Sequence, residues 1–254
     1  CVPDYTETEL ITDAFNKMLA RMKVLDESRS EFVSNVSHEL KTPMTSMKVL
    51  ADSLVGQQGV PEDLYQEFMR DITAEIDREN RIITDLLTLV KMDKKNADLQ
   101  IQHMSINQLL EDILKRLRPI ADKRNIDLIL DSFRPVEADV DELKFTSAIS
   151  NLVENAIKYN VDDGWVRVSL DADHKFFYVT VADSGMGIPE DSLSRIFERF
   201  YRVDKSHSRE IGGTGLGLAI TRSTIGMHHG VIKVFSKEGE GTTFSVRVPL
   251  SYIP

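Results

Sequence analysis

Ile11, Phe15, Met18, Met22 and Leu25 follow one another at alternating steps of four and three residues, and no other feature restricts the possible folds of this chain so severely. Apolar residues at that spacing line one seam of a helix, and the seam needs a second helix to cover it. The phase carries on through Phe32 and Val36, so one long helix is expected from about Thr8 to Leu54, broken by Gly56 to Pro61. Pro61-Glu-Asp then suits a helix N-terminus, and Ile72, Ile76, Ile83, Leu86 and Val90 carry a second pattern of the same kind. Two antiparallel helices cannot bury both stripes alone. The expectation is a helical hairpin that self-associates as a homodimer into a four-helix bundle.

Asp93 to Asp98 has too little apolar content to pack and reads as a linker. Past it the period changes. Ser105 with Gln108 resembles a capping box for a helix to about Arg124, followed by a strand at Ile126–Leu130. A helix from Asp141 to about Tyr159 precedes strands at Trp165–Leu170, Phe176–Val181, Val231–Phe235 and Thr243–Val248. This alternation predicts an α/β sandwich with a largely antiparallel sheet, so the whole chain falls in the α+β class. A length of 254 residues agrees with two compact units.

Within the first helix, Ser34-Asn-Val-Ser-His-Glu-Leu-Lys-Thr-Pro43 carries chemistry. A neutral imidazole can attack phosphorus, and a neighbouring carboxylate, here Glu39, can hold the opposite ring nitrogen of His38 in its protonated tautomer. His38 and Thr42 are four residues apart and share a helical face, which lets Thr42 place a water beside His38, while Glu39 is turned by about 100°. Pro43 clashes with the carbonyl of Glu39, so a kink is expected beside the histidine.

The second unit holds three polar clusters. Asn151, Asn155, Lys158 and Tyr159 line one side of a helix whose other side, Ile149, Leu152, Val153 and Ala156, fills a core. Amide oxygens suit Mg²⁺, an ammonium suits phosphate, and the phenol ring offers a base a stacking surface. In Asp183-Ser-Gly-Met-Gly-Ile-Pro189 the carboxylate can accept from the exocyclic amine of adenine and would be repelled by the acceptor guanine presents there. Gly185 and Gly187 allow close backbone approach to a base, as a ligand-free turn would also require. Gly212-Gly-Thr-Gly-Leu-Gly-Leu-Ala-Ile220 runs into a helical pattern and presents amides to phosphate, from Gly213, Thr214, Gly215, Leu216 and Gly217. Between these clusters, Ile196-Phe-Glu-Arg-Phe-Tyr-Arg202 and the polar Val203–Ile211 read as a lid anchored by Phe197 and Phe200, with Arg199 or Arg202 in reach of a γ-phosphate.

The decapeptide around His38 resembles the phosphoacceptor box of sensor histidine kinases. In order, the asparagine cluster, Asp-x-Gly-x-Gly, the paired phenylalanines and Gly-Thr-Gly-Leu-Gly-Leu resemble the ATP-binding domain that those kinases share with the gyrase and Hsp90 superfamily. The resemblance covers about Leu25 to Leu250 and divides the chain into a signalling helix at 1–27, weakly similar to a HAMP module, a dimerisation and phosphotransfer domain at 28–95, and a catalytic domain at 96–254. It implies that His38 accepts the phosphoryl group with Glu39 as base and that Asn155 holds Mg²⁺. It further implies that Lys158 and the Gly213–Gly217 amides contact phosphates, that Asp183 reads adenine, and that Asn151 assists the metal and phosphate site. Thr242 is placed near the base. The implied activity is ATP·Mg²⁺-dependent phosphorylation of His38 and transfer to an aspartate on a response-regulator receiver domain. Thr42 in His-Glu-x-x-Thr adds phosphatase action on that partner.

Two other classes compete: a superfamily ATPase clamp, which has no use for His38 on a dimeric hairpin, and a silent dimeric adaptor, which has no use for Asn155 and Asp183. A net charge of −10 and a pI near 5.1 argue against nucleic acid or an anionic membrane as partner. Cys1 is the sole cysteine, which suits a reducing compartment. No apolar run approaches the ~20 residues of a membrane span, so the chain is expected to be cytoplasmic. Its start within a helical repeat suggests a piece of a longer protein, anchored in the inner or plasma membrane and facing the cytoplasm. Met227-His-His-Gly230 has a second histidine where the family more often has glycine, and the pair is expected to end a helix without holding a metal. His103, His174 and His207 show no partner pattern.

Overall fold

The computed structural model describes residues 5–55, 61–92, 99–203 and 213–253. The break at 56–60, the linker Asp93–Asp98, most of the expected lid (204–211) and Gly212 lie outside the described residues. Contacts divide the chain into two compact units, Cys1–Ile82 and Ile83–Pro254.

The first unit is helical. α1 runs as one element over Tyr5–Val55 and passes through Pro43 without interruption. α2 spans Glu62–Met92, with Glu62 and Asp63 in its first turn, where acids complement the helix dipole, and its last turns, from Ile83 on, belong to the second unit. Ile11, Phe15, Met18 and Met22 are 52–68% exposed, so the seam is uncovered in the single chain; the side chain of Leu25 lies outside the described set. In α2 the buried apolar residues are Ile82 and Leu89, whereas Ile76, Ile83 and Val90 remain exposed. Among the described residues no helix is long and apolar enough to cross a membrane.

The second unit layers helices against one face of a sheet. Its elements are β1 (Ile101–Ser105), α3 (Ile106–Asp122), β2 (Asp127–Ser132), β3 (Glu137–Asp141), α4 (Glu142–Lys158), β4 (Trp165–Ala172), β5 (Phe176–Asp183), α5 (Glu190–Leu193), α6 (Gly217–Met227), β6 (Val231–Lys237) and β7 (Gly241–Pro249). Five described strands form a sheet in the order β2-β4-β5-β7-β6, with β2 and β4 parallel and the other pairs antiparallel. β1 and β3 pair separately, a ribbon the sequence pattern did not announce. α3 buries Ile106, Leu109, Leu110, Ile113, Leu114 and Leu117, and α4 buries Phe145, Ile149, Leu152, Val153 and Ile157. Each such aliphatic side chain contributes about 1.5–3 kcal/mol of transfer free energy.

Strand alternation places the site. Phe177, Val179, Val181 and Asp183 are the buried members of β5, so Asp183 is the last position of a stripe whose other members are core. Opposite it, Thr242 ends the buried stripe of β7 that continues through Phe244, Val246 and Val248. A carboxylate is thereby carried to the rim of an apolar layer by the same pleat that builds the core.

Local expectations are met in part. Ser105 caps α3 by accepting from Gln108 N–H at 3.4 Å, but the Gln108 side chain turns to Asp112 at 3.1 Å, leaving half a capping box. His228 is buried, with Nε2 accepting from Asp141 N–H at 2.9 Å and Nδ1 facing the Thr224 carbonyl at 2.8 Å. Burial depresses its basicity, and the ring, neutral with its proton on Nδ1, ties the end of α6 to the cap of α4. His103, expected without partners, sits between Asp139 and Glu137 across the β1–β3 ribbon, at 2.8 and 3.3 Å, and both hydrogen bonds raise its pKa.

Candidate functional site

In the first unit His38 and Thr42 are exposed, Glu39 and Leu40 half-buried and Pro43 buried. His38, Thr42, Thr45 and Ser46 line an open groove of about 470 Å³ together with Lys41, Val49 and Leu50. The shared face of His38 and Thr42 is therefore present. Two details differ from expectation. No hydrogen bond joins His38 to Glu39 among the described residues, since adjacent helical positions diverge by about 100°. The Thr42 hydroxyl donates to the carbonyl of His38 at 3.1 Å, so its proton is already held by the helix while its lone pairs remain for a water.

In the second unit the sheet rim, the end of α4 and the start of α6 converge. Asp183 is 8% exposed, and its Oδ1 accepts from Gly185 N–H at 2.8 Å and Thr242 N–H at 3.2 Å. Oδ2 makes no hydrogen bond among the described residues. Burial pushes the Asp183 pKa up to about 6, against the two amides that favour the charged form. Thr242 Oγ1 is shared with Ser236 Oγ at 2.9 Å, which locks the β7 side of this corner. Glycine at 185 is required by crowding: a Cβ there would stand 2.4 Å from the Tyr159 carbonyl oxygen and 2.8 Å from Asp183 Oδ1. At Gly187 φ is +71°, and a Cβ would stand 2.1 Å from the Lys237 carbonyl oxygen.

The other end of the site is cationic. Lys158 Nζ lies 5.1 Å from the centroid of the Tyr159 ring, and a Cβ on Gly213 would fall 2.9 Å from Lys158 Nζ and 3.5 Å from the Tyr159 hydroxyl. Lys158, Tyr159 and the start of the glycine loop thus meet at one point. The Tyr159 phenol is raised in pKa by burial, against the nearby charge of Arg202. Tyr159 was expected to offer a base a stacking surface; the Lys158 ammonium lies over one face of its ring, and its hydroxyl faces the start of the glycine loop. Asn151 packs on Gly217, where a Cβ would be 2.6 Å from its Oδ1. Asn155 lies one turn further along α4, half-buried. Its amide makes no side-chain hydrogen bond among the described residues, and one hard oxygen beside a phosphate site fits Mg²⁺, which keeps most of its shell as water and phosphate.

Phe197 packs edge-on to Phe244 at 6.4 Å, and Phe200, whose N–H donates to the Gly215 carbonyl at 2.9 Å, packs against Leu89, Leu216 and Ile220, so both phenylalanines pack as expected. Leu216 is buried with Ile220 and Leu89.

Three supporting residues escaped the sequence pattern. Buried Asn160 donates to the Trp165 carbonyl and accepts from Val161 N–H and Ser184 Oγ, each at 3.0 Å, which shapes the turn beside Gly185. Ser236 holds Thr242. Arg124 donates to the carbonyls of Ile157, Lys158 and Asn160 at 2.8–3.0 Å and so caps the end of α4 that carries Lys158 and Tyr159. Arg124→Ala is expected to lower unfolding stability by about 2 kcal/mol, because helix-end carbonyls lose charge-assisted donors. Urea titration checks this, and an unchanged midpoint would deny Arg124 the role.

Residues 28–95 match the family described as the His Kinase A (phospho-acceptor) domain, and residues 140–252 match the histidine kinase-, DNA gyrase B- and HSP90-like ATPases. The chain is 35% identical over 228 residues to sensor histidine kinase WalK of Bacillus subtilis, covering 89% of this chain and 37% of WalK. It is also 35% identical over 225 residues to the sensor-like histidine kinase SenX3 of Mycolicibacterium smegmatis, covering 89% of this chain and 58% of SenX3. The chain therefore spans between about a third and three fifths of these curated relatives. In fold it resembles histidine kinase ThkA, solved in complex with the response regulator protein TrrA, with a TM-score of 0.73 over 97% of this chain and 68% of that one, at 24% identity.

Proposed function

The chain belongs to the sensor histidine kinases, joining a phospho-acceptor domain to an ATPase domain of the histidine kinase, gyrase B and HSP90 type, and on that premise we propose that it phosphorylates its own His38 from ATP and passes the group to an aspartate of a response regulator. The observation that carries the nucleotide half is Asp183, whose Oδ1 is held by two backbone amides while Oδ2 faces no protein donor among the described residues. That oxygen suits the exocyclic amine of adenine and rejects the carbonyl of guanine. Lys158 and the Gly213–Gly217 amides neutralise the phosphates, with Arg202 close to Tyr159 at the same end. Asn155, with Asn151 beside Gly217, is the protein's contribution to a Mg²⁺ site. Bound there, the ion neutralises charge that develops on the transferring phosphoryl group. The exposed ring of His38 supplies the nitrogen lone pair that forms the new N–P bond as the bond to the ADP oxygen breaks.

We further infer a homodimer, because Ile11, Phe15, Met18 and Met22 of α1 and Ile76 of α2 are exposed apolar residues that a second copy would cover. Phosphatase action toward the phosphorylated regulator is assigned to Thr42, which lines the His38 groove and whose hydroxyl proton goes to the His38 carbonyl. Partner and phosphatase rest on the family resemblance, and the aspartyl acceptor lies on the partner.

Mixing His38→Gln chains with Asn155→Ala chains tests kinase chemistry and association together. Wild-type chains incubated with MgATP are expected to become labelled, and each variant alone is not. Label on the Asn155→Ala chain in the mixture marks transfer between chains of a dimer; label on neither marks transfer within one chain. A wild-type chain that takes no label would refute the kinase reading.

A further inference from the structure

Asp85 stands outside the segment that matches the ATPase family, residues 140–252, yet it belongs to the compact unit Ile83–Pro254 and its carboxylate reaches the glycine loop. Thr214 Oγ1 donates to Asp85 Oδ2 at 2.9 Å, and Leu216 N–H donates to Thr214 Oγ1 at 3.2 Å. An amide of the loop is thus satisfied by a hydroxyl whose own proton is given to a carboxylate. The contact is supported from beneath. Leu89, four residues on and on the same face of α2, is buried with Leu216 and Ile220, and Leu86, Met92 and Phe200 close around them. The apolar cluster holds the last turns of α2 against the loop and so holds Asp85 over Thr214. A loop of backbone amides opening a helix is a site for an anion. This one already faces an anion of the protein's own.

We propose that Asp85 is an internal stand-in for nucleotide phosphate. Its carboxylate and the phosphates of the nucleotide compete for the Gly213–Gly217 loop, so the Asp85–Thr214 hydrogen bond and phosphate binding exclude one another. Two anions within a few ångströms at a half-buried surface repel, and the hydroxyl of Thr214 cannot serve both. By reciprocity, any movement of α2 that draws Asp85 off the loop tightens nucleotide binding by the factor with which nucleotide favours that movement. The inference rests on the reading of this loop as the phosphate end of a nucleotide site, and it adds a residue from α2 to that site.

Asp85→Asn keeps the size of the side chain and an oxygen for Thr214 but removes the charge. With the full chain at low salt and fixed Mg²⁺, ATP is expected to bind Asp85→Asn about tenfold tighter than wild type, the scale of one charge-assisted hydrogen bond. Adenosine, which has no phosphate, is expected to bind both proteins equally, and the gain for ATP should shrink as salt is raised. Asp85→Ala, which removes the acceptor as well, should show the same gain for ATP. Equal or weaker ATP binding by Asp85→Asn overturns the proposal, and so does an equal gain for adenosine, which would mark general loosening of the domain. Failure of wild type and variants alike to bind ATP overturns both the nucleotide reading and this inference, whereas intact ATP binding without a difference overturns this inference alone.

Discussion

His38→Gln protein incubated with MgATP is expected to take up no acid-labile phosphate, while it still binds ATP as the wild type does. Glutamine preserves the exposed helical position but has no nitrogen lone pair able to form a phosphoramidate, so the loss is complete rather than graded. The helix should tolerate the change, because His38 is solvent-exposed and no hydrogen bond of its ring is formed among the described residues. Labelling that survives in this variant, with the acid lability of an N–P bond, would place the acceptor elsewhere.

Thr42 supplies a second reading of the same experiment. Its hydroxyl proton is given to the His38 carbonyl, so positioning a water through a lone pair needs no rearrangement, whereas donating to one would break a hydrogen bond worth about 1 kcal/mol. Thr42→Ala is accordingly expected to slow dephosphorylation of the regulator at least tenfold and to leave His38 labelling near its wild-type rate. Equal loss of both would show that Thr42 shapes the helix and takes no part in hydrolysis.

What could be read in the sequence divides by the range of the interactions involved. Asp183 was visible because strand alternation and the two following glycines are local signals, and the pleat that buries Val179 and Val181 also buries Asp183. α1 was visible because its period persists over many turns. The β1–β3 ribbon was not. Its strands carry Gln102 and His103 on one side and Glu137 and Asp139 on the other, so neither shows an apolar alternation, and the pairing of His103 with Asp139 spans 36 residues. Arg124, Asn160 and Asp85 share that reason. Each acts through polar contacts with irregular backbone or with side chains far away in sequence, such as the 129-residue separation of Asp85 and Thr214, and a polar residue in a polar stretch has no periodic signature.

Asp183→Asn is expected to abolish useful ATP binding and, at the same time, to make the nucleotide-free domain more stable. The binding loss is at least about 100-fold, since Oδ1 of the asparagine keeps the Gly185 and Thr242 amides and leaves Nδ2, a donor, facing the amine of adenine. The same donor meets the guanine carbonyl favourably, so the preference for ATP over GTP should collapse. The stability gain follows from linkage. The folded pKa of about 6 lies above the ordinary aspartate value of 3.8, so the unfolded chain releases this proton more readily, and the contribution of Asp183 to stability is full below pH 3.8 and lost as pH rises through 6. A shift of that size costs about 3 kcal/mol at neutral pH, an upper bound on what the uncharged variant recovers. Thermal melts of wild type and Asp183→Asn should therefore differ by several degrees at pH 7.5 and converge toward pH 4. A variant that melts lower than wild type at pH 7.5 would mean that the charge stabilises this corner, and that the burial of Asp183 is not the strain on which its readiness for a ligand depends.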